Sequence, residues 1–304
     1  MIAKTKFFYK VVIKMKTKNA LLIDIGGTKT EIEYDNKITK YENINYNSFE
    51  NFLEDFLSEN SISPNILGIA AAGPVKNGIC KLTNLSWMID IKKIRNTYFP
   101  EISLDNTFLL NDLEAAAWYP KNLEDKNIKG NYAVISVGTG LGVAFACYNK
   151  KRNEYFIIST EAGHTIRNIG NGETWEDVLS GQGLLNYYND FCLSENKKYL
   201  TNTKELYQLA SENDFDSLKA VNIFFHNLAL FAQNIALTTI PQKGIYLTGG
   251  IVSNFNKFIN ISDFQETFQG NRKMADLLKD IPLFFLEGST PLKGLKGFVE
   301  DTCI

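Results

Sequence analysis

Two kinds of residue cluster in this chain could do chemistry together. Glu161-Ala162-Gly163-His164, Asn111-Asp112 and Glu176 supply carboxylates, an amide and an imidazole able to line one polar pocket. A carboxylate can accept from two neighbouring hydroxyls, and an imidazole can donate or accept at a third, so the set suits a polyhydroxyl compound. Ile23-Asp24-Ile25-Gly26-Gly27-Thr28 and Val137-Gly138-Thr139-Gly140-Leu141-Gly142 each place glycines and a threonine directly after an apolar run. Glycines there let backbone N–H groups approach an anion closely, and the threonine adds a hydroxyl donor. A polyhydroxyl pocket beside two phosphate loops is what phosphoryl transfer to a hydroxyl needs.

Each cluster also has a plainer reading. Gly26-Gly27-Thr28 taken alone fits an ordinary hairpin turn. Neither loop is a GxxxxGK[ST] phosphate loop, and the first is not GxGxxG. Gly138-Thr139-Gly140-Leu141-Gly142 holds more glycine than a turn requires, which favours phosphate, with a tight hairpin as competitor. Asp24, at a strand end, could hold Mg²⁺ through water, since hard cations take oxygen ligands. Asp112 sits between a strand and a helix. It could take the proton from an attacking hydroxyl, or it could simply cap the helix. Glu161, His164 and Glu176 fit a surface loop with a capping acid as well as a sugar site. No second histidine stands at ligand spacing from His164, so a metal there is not expected. His226 shares a helix stripe with Asn222 and Gln233 and reads as a solvated residue.

The elements that must position these residues follow from apolar periodicity. Ala20–Ile25 reads as a buried strand entering a turn, with Thr30–Tyr34 returning as a hairpin. Phe49, Phe52, Leu53, Phe56 and Leu57 fall at helical spacing, with Asn47 and Glu50 suited to a capping box. Ile66–Ala71 is a buried strand broken by Gly73-Pro74. Thr107–Leu110 is a strand leading through Asn111 to a helix over Leu113–Trp118. A second cycle begins at Tyr132: strand Ala133–Val137, the glycine turn, return strand Val143–Tyr148, then a strand over Tyr155–Ile158. Ile23-Asp24-Ile25-Gly26 and Ile135-Ser136-Val137-Gly138 align 112 residues apart, an internal duplication that points to two related α/β halves. Helices are expected near Gly183–Phe191, Lys204–Ala210 and Ser217–Thr239, the last ended by Pro241. Ile245–Thr248 and Pro282–Leu286 are strands, and Thr290-Pro291 opens a C-terminal helix. Lys121–Lys129 reads as a surface loop, and the hinge between halves is expected near Asn111-Asp112.

Composition narrows the class. The chain has 304 residues, 44% of them hydrophobic, and a formal net charge of -2. That allows two packed domains and gives no reason to expect a nucleic-acid partner or an anionic membrane surface. No run of about 18 uncharged apolar residues occurs, so no transmembrane helix is expected. Cys80, Cys147, Cys192 and Cys303 are scattered without CxxC spacing, which reads as reduced thiols in a cytoplasmic protein. Lys4, Lys6, Lys10, Lys14, Lys16 and Lys18 charge the N-terminus, with no acid before Asp24. Residues 1–18 are expected to be a dispensable extension, with Met15 a possible start.

The chain resembles the bacterial glucokinase family, within the hexokinase/actin/Hsp70 ATPase superfamily, from about Ala20 to Gly297. Besides the segments above, the resemblance rests on Ala72-Gly73-Pro74-Val75, Leu82-Thr83-Asn84-Leu85-Ser86-Trp87, Asn111-Asp112-Leu113-Glu114-Ala115, Glu176-Asp177-Val178-Leu179-Ser180-Gly181 and Leu247-Thr248-Gly249-Gly250-Ile251. It implies an α/β fold of two ribonuclease-H-like domains with an interdomain cleft, the actin-like ATPase fold. The expected division is a small domain over 19–111, completed by about 290–304, and a large one over 112–289. It implies ATP-dependent phosphorylation of glucose at its 6-hydroxyl by a cytoplasmic homodimer, without nucleic-acid or membrane partners. Asp112 matches the catalytic base. Asn111, Glu161, His164 and Glu176 match sugar-binding residues, and Asn84 lies in a matching segment. Asp24, Gly26, Gly27, Thr28, Gly138, Thr139 and Gly140 match phosphate and Mg²⁺ elements, with Asp24 the metal candidate; Gly249 and Gly250 match the adenosine segment.

Three features depart from the family pattern. Ala162 stands where a glycine is common, so its methyl is expected to narrow the turn or shift its φ. Only eleven residues separate His164 from Glu176, where a longer insertion is usual, which bears on the pocket rim and the dimer contact. The chain stops at Ile304, leaving less helix to pack on the first domain. Relatives with a cysteine-rich zinc motif are set aside, because that motif is missing. Two alternatives stay open: a kinase for mannose, fructose or an amino sugar, and a sugar-responsive regulator without catalysis.

Overall fold

The structure is a computed structural model that describes residues 19–122, 129–195, 199–270, 273–288 and 290–303. The basic extension over 1–18 and most of the expected Lys121–Lys129 loop lie outside the described residues. The chain forms two compact units, one of residues 19–122 with 290–303 and the other of residues 129–288.

The first unit is built on strands β1 (Ala20–Ile25), β2 (Lys29–Tyr34) and β3 (Lys37–Glu42), helix α1 (Phe49–Glu59) and strand β4 (Ile66–Ala71). Short strands β5 (Val75–Lys76), β6 (Ile79–Lys81) and β7 (Met88–Asp90) follow, then α2 (Ile91–Tyr98), β8 (Thr107–Asn111) and α3 (Asp112–Trp118). The main sheet runs β3-β2-β1-β4-β8, antiparallel across β1, β2 and β3 and parallel across β1, β4 and β8. Its residues alternate between two apolar layers. Leu21, Ile23 and Ile25 face Phe49, Phe52 and Phe56 of α1, while Ala20 and Leu22 face Ala115, Leu292, Leu295 and Val299. Asp24 falls on this second face by the same period of two. The helix Thr290–Thr302 packs against α3 so closely that a Cβ at Gly294 would stand 1.7 Å from the Ala115 carbonyl oxygen. That packing carries α3 with the first unit, past the 111/112 boundary expected from the sequence.

The second unit repeats the plan with β9 (Tyr132–Val137), β10 (Leu141–Asn149) and β11 (Glu154–Thr160), then a small hairpin of β12 (Ile166–Asn168) and β13 (Glu173–Thr174). Helices α4 (Trp175–Val178), α5 (Gly181–Glu195), α6 (Thr203–Ser211) and α7 (Phe215–Thr239) lead to β14 (Gly244–Thr248), α8 (Gly250–Phe255), α9 (Ile261–Gln269), α10 (Ala275–Lys279) and β15 (Leu283–Phe285). The sheet order β11-β10-β9-β14-β15 has the same directions as the first sheet. Among the described residues α7 is the one helix long and apolar enough to cross a membrane by length and composition, where the sequence reading expected none. It is a core helix: 67% of its apolar window is buried, and Val221, Phe224, Leu228, Phe231 and Ile235 join the central cluster under the sheet.

The sequence reading of α1 needs one correction. Its N-cap is Ser48, whose hydroxyl accepts from Asn51 N at 3.1 Å, not Asn47 with Glu50. His226 is exposed as expected, 3.3 Å from the Thr267 hydroxyl. Gln233 is not simply solvated, because its amide donates to the carbonyls of Thr267 and Phe268 and ties α7 to α9.

Candidate active site

In the first unit, register brings the candidates to one sheet edge. Ile25, Ala71 and Asn111 are cross-strand neighbours, so the turn after β1, the Ala72-Gly73 segment and the start of α3 leave the sheet side by side. Asn111 caps α3: its Oδ1 accepts from Leu113 N at 2.9 Å and Glu114 N at 3.3 Å. Its Nδ2 donates to the Gly73 carbonyl at 3.0 Å. The cap being filled, Asp112 occupies the first helical position, where one carboxylate oxygen accepts from Leu113 N at 3.0 Å. Loss of water around that carboxyl outweighs the hydrogen bonds and pushes its pKa up to about 6. Buried Cys80 lies near enough that burial, with Asp112's charge adding, holds its thiol up at about 11.

The Gly26-Gly27-Thr28 turn is held by a residue that sequence reasoning missed. Asn43, 1% exposed, donates from Nδ2 to the Gly26 carbonyl at 2.9 Å and accepts from the Thr30 hydroxyl at 2.7 Å. Its backbone N–H donates to the Thr28 carbonyl at 2.9 Å. Asn84 is exposed and leans on the same turn; a Cβ at Gly27 would lie 3.4 Å from its Cβ. Thr28 is exposed, free of the sheet's apolar layers.

The second unit gathers its candidates likewise. The turn Gly138–Gly140 closes through Gly138 N to the Gly140 carbonyl at 2.9 Å, and the Gly138 carbonyl accepts from Gly181 N at 2.8 Å. Gly249 follows β14 at the same edge with φ 95°, where a Cβ would also stand 2.3 Å from the Val137 carbonyl oxygen, so both conformation and space demand glycine. Val143 pairs with Thr160, which delivers Glu161 and His164 beside the glycine turn. Gly163 is equally obligatory, since a Cβ would meet the Leu141 carbonyl oxygen at 2.1 Å. Ala162 is not: its φ is not positive and its side chain packs against the core, so the expected narrowing does not arise.

The short segment between His164 and Glu176 forms the β12–β13 hairpin. Arg167 pairs with Glu173 there and donates to Asn227 of α7 at 3.2 Å. Thr174 caps α4 in a reciprocal capping box with Asp177, whose carboxyl is held below its ordinary value by the Thr174 N–H and hydroxyl. The capping acid is therefore Asp177, and Glu176 is left to face the glycine turn. One carboxylate oxygen of Glu176 accepts from Leu141 N at 2.8 Å. The other stands 3.7 Å from Nδ1 of His164, whose Nε2 is 3.7 Å from Glu161. The T-x-x-D spacing of Thr174 and Asp177 was visible in the sequence as a capping signature. Asn43 carried no comparable local signal.

The glucokinase family model matches residues 21–174 and 171–300. The chain belongs to the glucokinase family. Among curated relatives, the glucokinase of Nitrobacter hamburgensis is 29% identical over 318 residues, covering 93% of this chain and 97% of the relative. That of Caulobacter vibrioides is 28% identical over 296 residues, covering 86% and 89%. A glucokinase crystal structure from an Antarctic psychrotroph superposes with a TM-score of 0.73 at 22% identity, covering 93% of this chain and 98% of that one. The Balamuthia mandrillaris glucokinase, solved in complex with glucose, gives 0.70 at 20% identity, covering 93% of each. The two like sheets of this glucokinase-family chain are the actin-like ATPase fold.

One donor remains for a metal. Among the described residues no group of three His, Cys, Asp or Glu could hold an ion. Asp24 offers one carboxylate at the β1 end beside the glycine turn. That fits Mg²⁺, which is commonly held by one or two carboxylates with substrate phosphates and waters completing the shell.

Proposed function

We propose that the chain is a glucokinase that transfers the γ-phosphoryl group of ATP to the 6-hydroxyl of glucose. The observation that carries this is Asp112: its place at the helix start is not spent on capping, and its carboxyl has a pKa of about 6. A base with that pKa is ionised at neutral pH, yet basic enough to draw a proton from a hydroxyl as it attacks. Asp112 orients the 6-hydroxyl and takes its proton. The oxygen bonds to the γ-phosphorus, the bond to the β–γ bridging oxygen breaks, and ADP leaves; the proton passes from Asp112 to solvent.

Glu161, His164 and Glu176 bind the sugar hydroxyls, with Asn84 and the remaining N–H of Asn111 as further donors. A sugar lacking a bonded hydroxyl would lose a contact to these acids, which favours a defined hexose. Gly26, Gly27, Thr28, Gly138, Thr139 and Gly140 cradle the phosphates, and Gly249 and Gly250 the adenosine. Asp24 would hold Mg²⁺, which would supply charge neutralisation of the phosphates. We also propose a cytoplasmic homodimer, on family resemblance.

The test is an ADP-release assay over a panel of hexoses. Glucose should be the preferred acceptor, and Asp112→Asn should lower kcat by at least about 100-fold while sparing glucose binding. The wild-type kcat/KM should fall about tenfold per pH unit below pH about 6, as Asp112 gains a proton. Near-normal turnover in the Asn variant would refute the assignment.

A further inference from the structure

His164 and Glu176 stand at the two ends of the β12–β13 hairpin, and the register of that hairpin decides that they face each other. Ile166 is paired with Thr174. One step outward on each strand, Trp175 N donates to the Thr165 carbonyl at 3.1 Å. The next step outward sets His164 opposite Glu176, with Nδ1 and a carboxylate oxygen 3.7 Å apart. Towards the tip the register changes. Asn168 is paired with Glu173, so Arg167 is the extra residue of a bulge between Ile166 and Asn168. Were Arg167 drawn into the ladder opposite Thr174, every pair beyond it would slip by one, and Glu176 would face Thr165 instead.

Arg167 is held out of the ladder by its own side chain. The guanidinium pairs with Glu173 across the hairpin, donates to Asn227 Oδ1 on α7 at 3.2 Å, and lies 5.8 Å from the centre of the Trp175 ring. A planar fork can meet a carboxylate and an amide at once, which a single ammonium cannot. Asn227 is itself fixed. It is buried, and its Nδ2 donates to the Tyr187 hydroxyl on α5 at 3.1 Å and to the Ile223 carbonyl at 2.9 Å, which leaves Oδ1 for the arginine. Trp175 in turn rests on Phe231 of α7, with ring centres 5.3 Å apart. We propose that Arg167 is a positioning residue for sugar binding: by anchoring the bulge to α7 it fixes the register that brings His164 and Glu176 together, and so sets the affinity for the hexose. The inference rests on the glucokinase reading above. The ion pair alone would not suffice, because Glu173 belongs to the same hairpin and moves with it. Asn227, on a core helix, supplies the fixed reference.

The decisive variant is Arg167→Met, which keeps an apolar stem and removes the fork. In the ADP-release assay it should raise KM for glucose about tenfold, the scale of one lost charge-assisted hydrogen bond. Its kcat should change by less than about twofold, because binding is weakened without touching the chemical step. Calorimetry should show the same loss in the Kd for glucose. Arg167→Lys, which can reach Glu173 or Asn227 but not both, should fall between the wild type and Arg167→Met. Lys296→Met is the control. It cuts the sheltered Lys296–Glu33 pair in the first unit, and should lower Tm while leaving KM for glucose unchanged. An unchanged KM for glucose in Arg167→Met overturns the inference, however far Tm falls. If that variant does not fold, an unchanged KM in Arg167→Lys overturns it. An equal loss of glucose affinity in Lys296→Met would trace the effect to general destabilisation and overturn it as well. A wild type that phosphorylates no hexose removes the kinase reading itself, an outcome distinct from a glucose kinase whose Arg167 variants keep the wild-type KM.

Discussion

The two glycine turns share a strand–turn–strand frame but are fastened by opposite means. The turn after β1 is held by Asn43, a neutral amide almost without solvent access, which grips the Gly26 carbonyl, the Thr30 hydroxyl and the Thr28 carbonyl. The turn after β9 is held by Glu176, a partly exposed carboxylate that also faces His164. Burial explains the choice. A fully buried carboxylate without a matching cation would be costly, whereas an amide satisfied at both ends is not. A carboxylate is tolerated at the second turn because water still reaches it, and that same access leaves it open to a ligand. The first turn is therefore fastened out of reach of water, and the second within it.

The comparison can be broken most forcefully at Gly163. Its missing Cβ lets the Glu161–His164 turn rest on the Leu141 carbonyl at the second turn's exit, so Gly163→Ala should destabilise the protein by about 3 kcal/mol, at the upper end for overpacking. Chemical denaturation measures this; a stability within 0.5 kcal/mol of wild type, roughly the level of neutral surface changes, would show the contact to be soft. Asn43→Ala should cost about 2 kcal/mol by leaving the Gly26 carbonyl and Thr30 hydroxyl unsatisfied. It should raise KM for ATP without changing the Kd for glucose alone, since Asn43 touches only the first turn.

Asp112, next to the first turn, gives a smaller effect with a pH signature. Its folded pKa, about 6, lies above the ordinary 3.8, so the folded state holds the proton more tightly than the unfolded chain. The carboxyl's cost to folding is absent below pH about 4, grows between 4 and 6, and is complete above 6. Asp112→Asn should thus raise stability at pH 8 by about 1 kcal/mol, allowing for partial exposure, and give no gain at pH 3.5. Thermal melts at the two pH values decide it; an equal gain at both would place its origin outside ionisation. Last are the exposed hydroxyls: Thr28→Ala and Thr139→Ala should each raise KM for ATP by about tenfold, with unchanged melting temperatures, since each loses one hydrogen bond to a charged phosphate.

Much of the frame was legible because it is local. Runs such as Ala20–Ile25 and Ile66–Ala71 are buried on both faces and read as strands at sight. The duplication 112 residues apart foretold two sheets of one order. β3 escaped because Lys37-Ile38-Thr39-Lys40-Tyr41-Glu42 is a largely exposed edge strand whose charges mask any alternation. The sheet of β5, β6 and β7 escaped because its strands have only two or three residues each. At both acids the open question was whether the residue merely capped a helix. In each case the neighbour does the capping, Asn111 beside Asp112 and Asp177 beside Glu176.

By itself the sequence determined the family and the two like halves, and it supplied the acids, glycines and imidazole proposed for the site, because these are written in residue types and short-range periodicity. Only the tertiary structure decided what holds them. Asn43 reaches a carbonyl 17 residues away, Glu176 an N–H 35 residues away, and Gly294 yields to Ala115 from the far end of the chain. Such partners are chosen by which surfaces meet after the sheets have formed, and close packing, unlike periodicity, leaves no pattern along the chain.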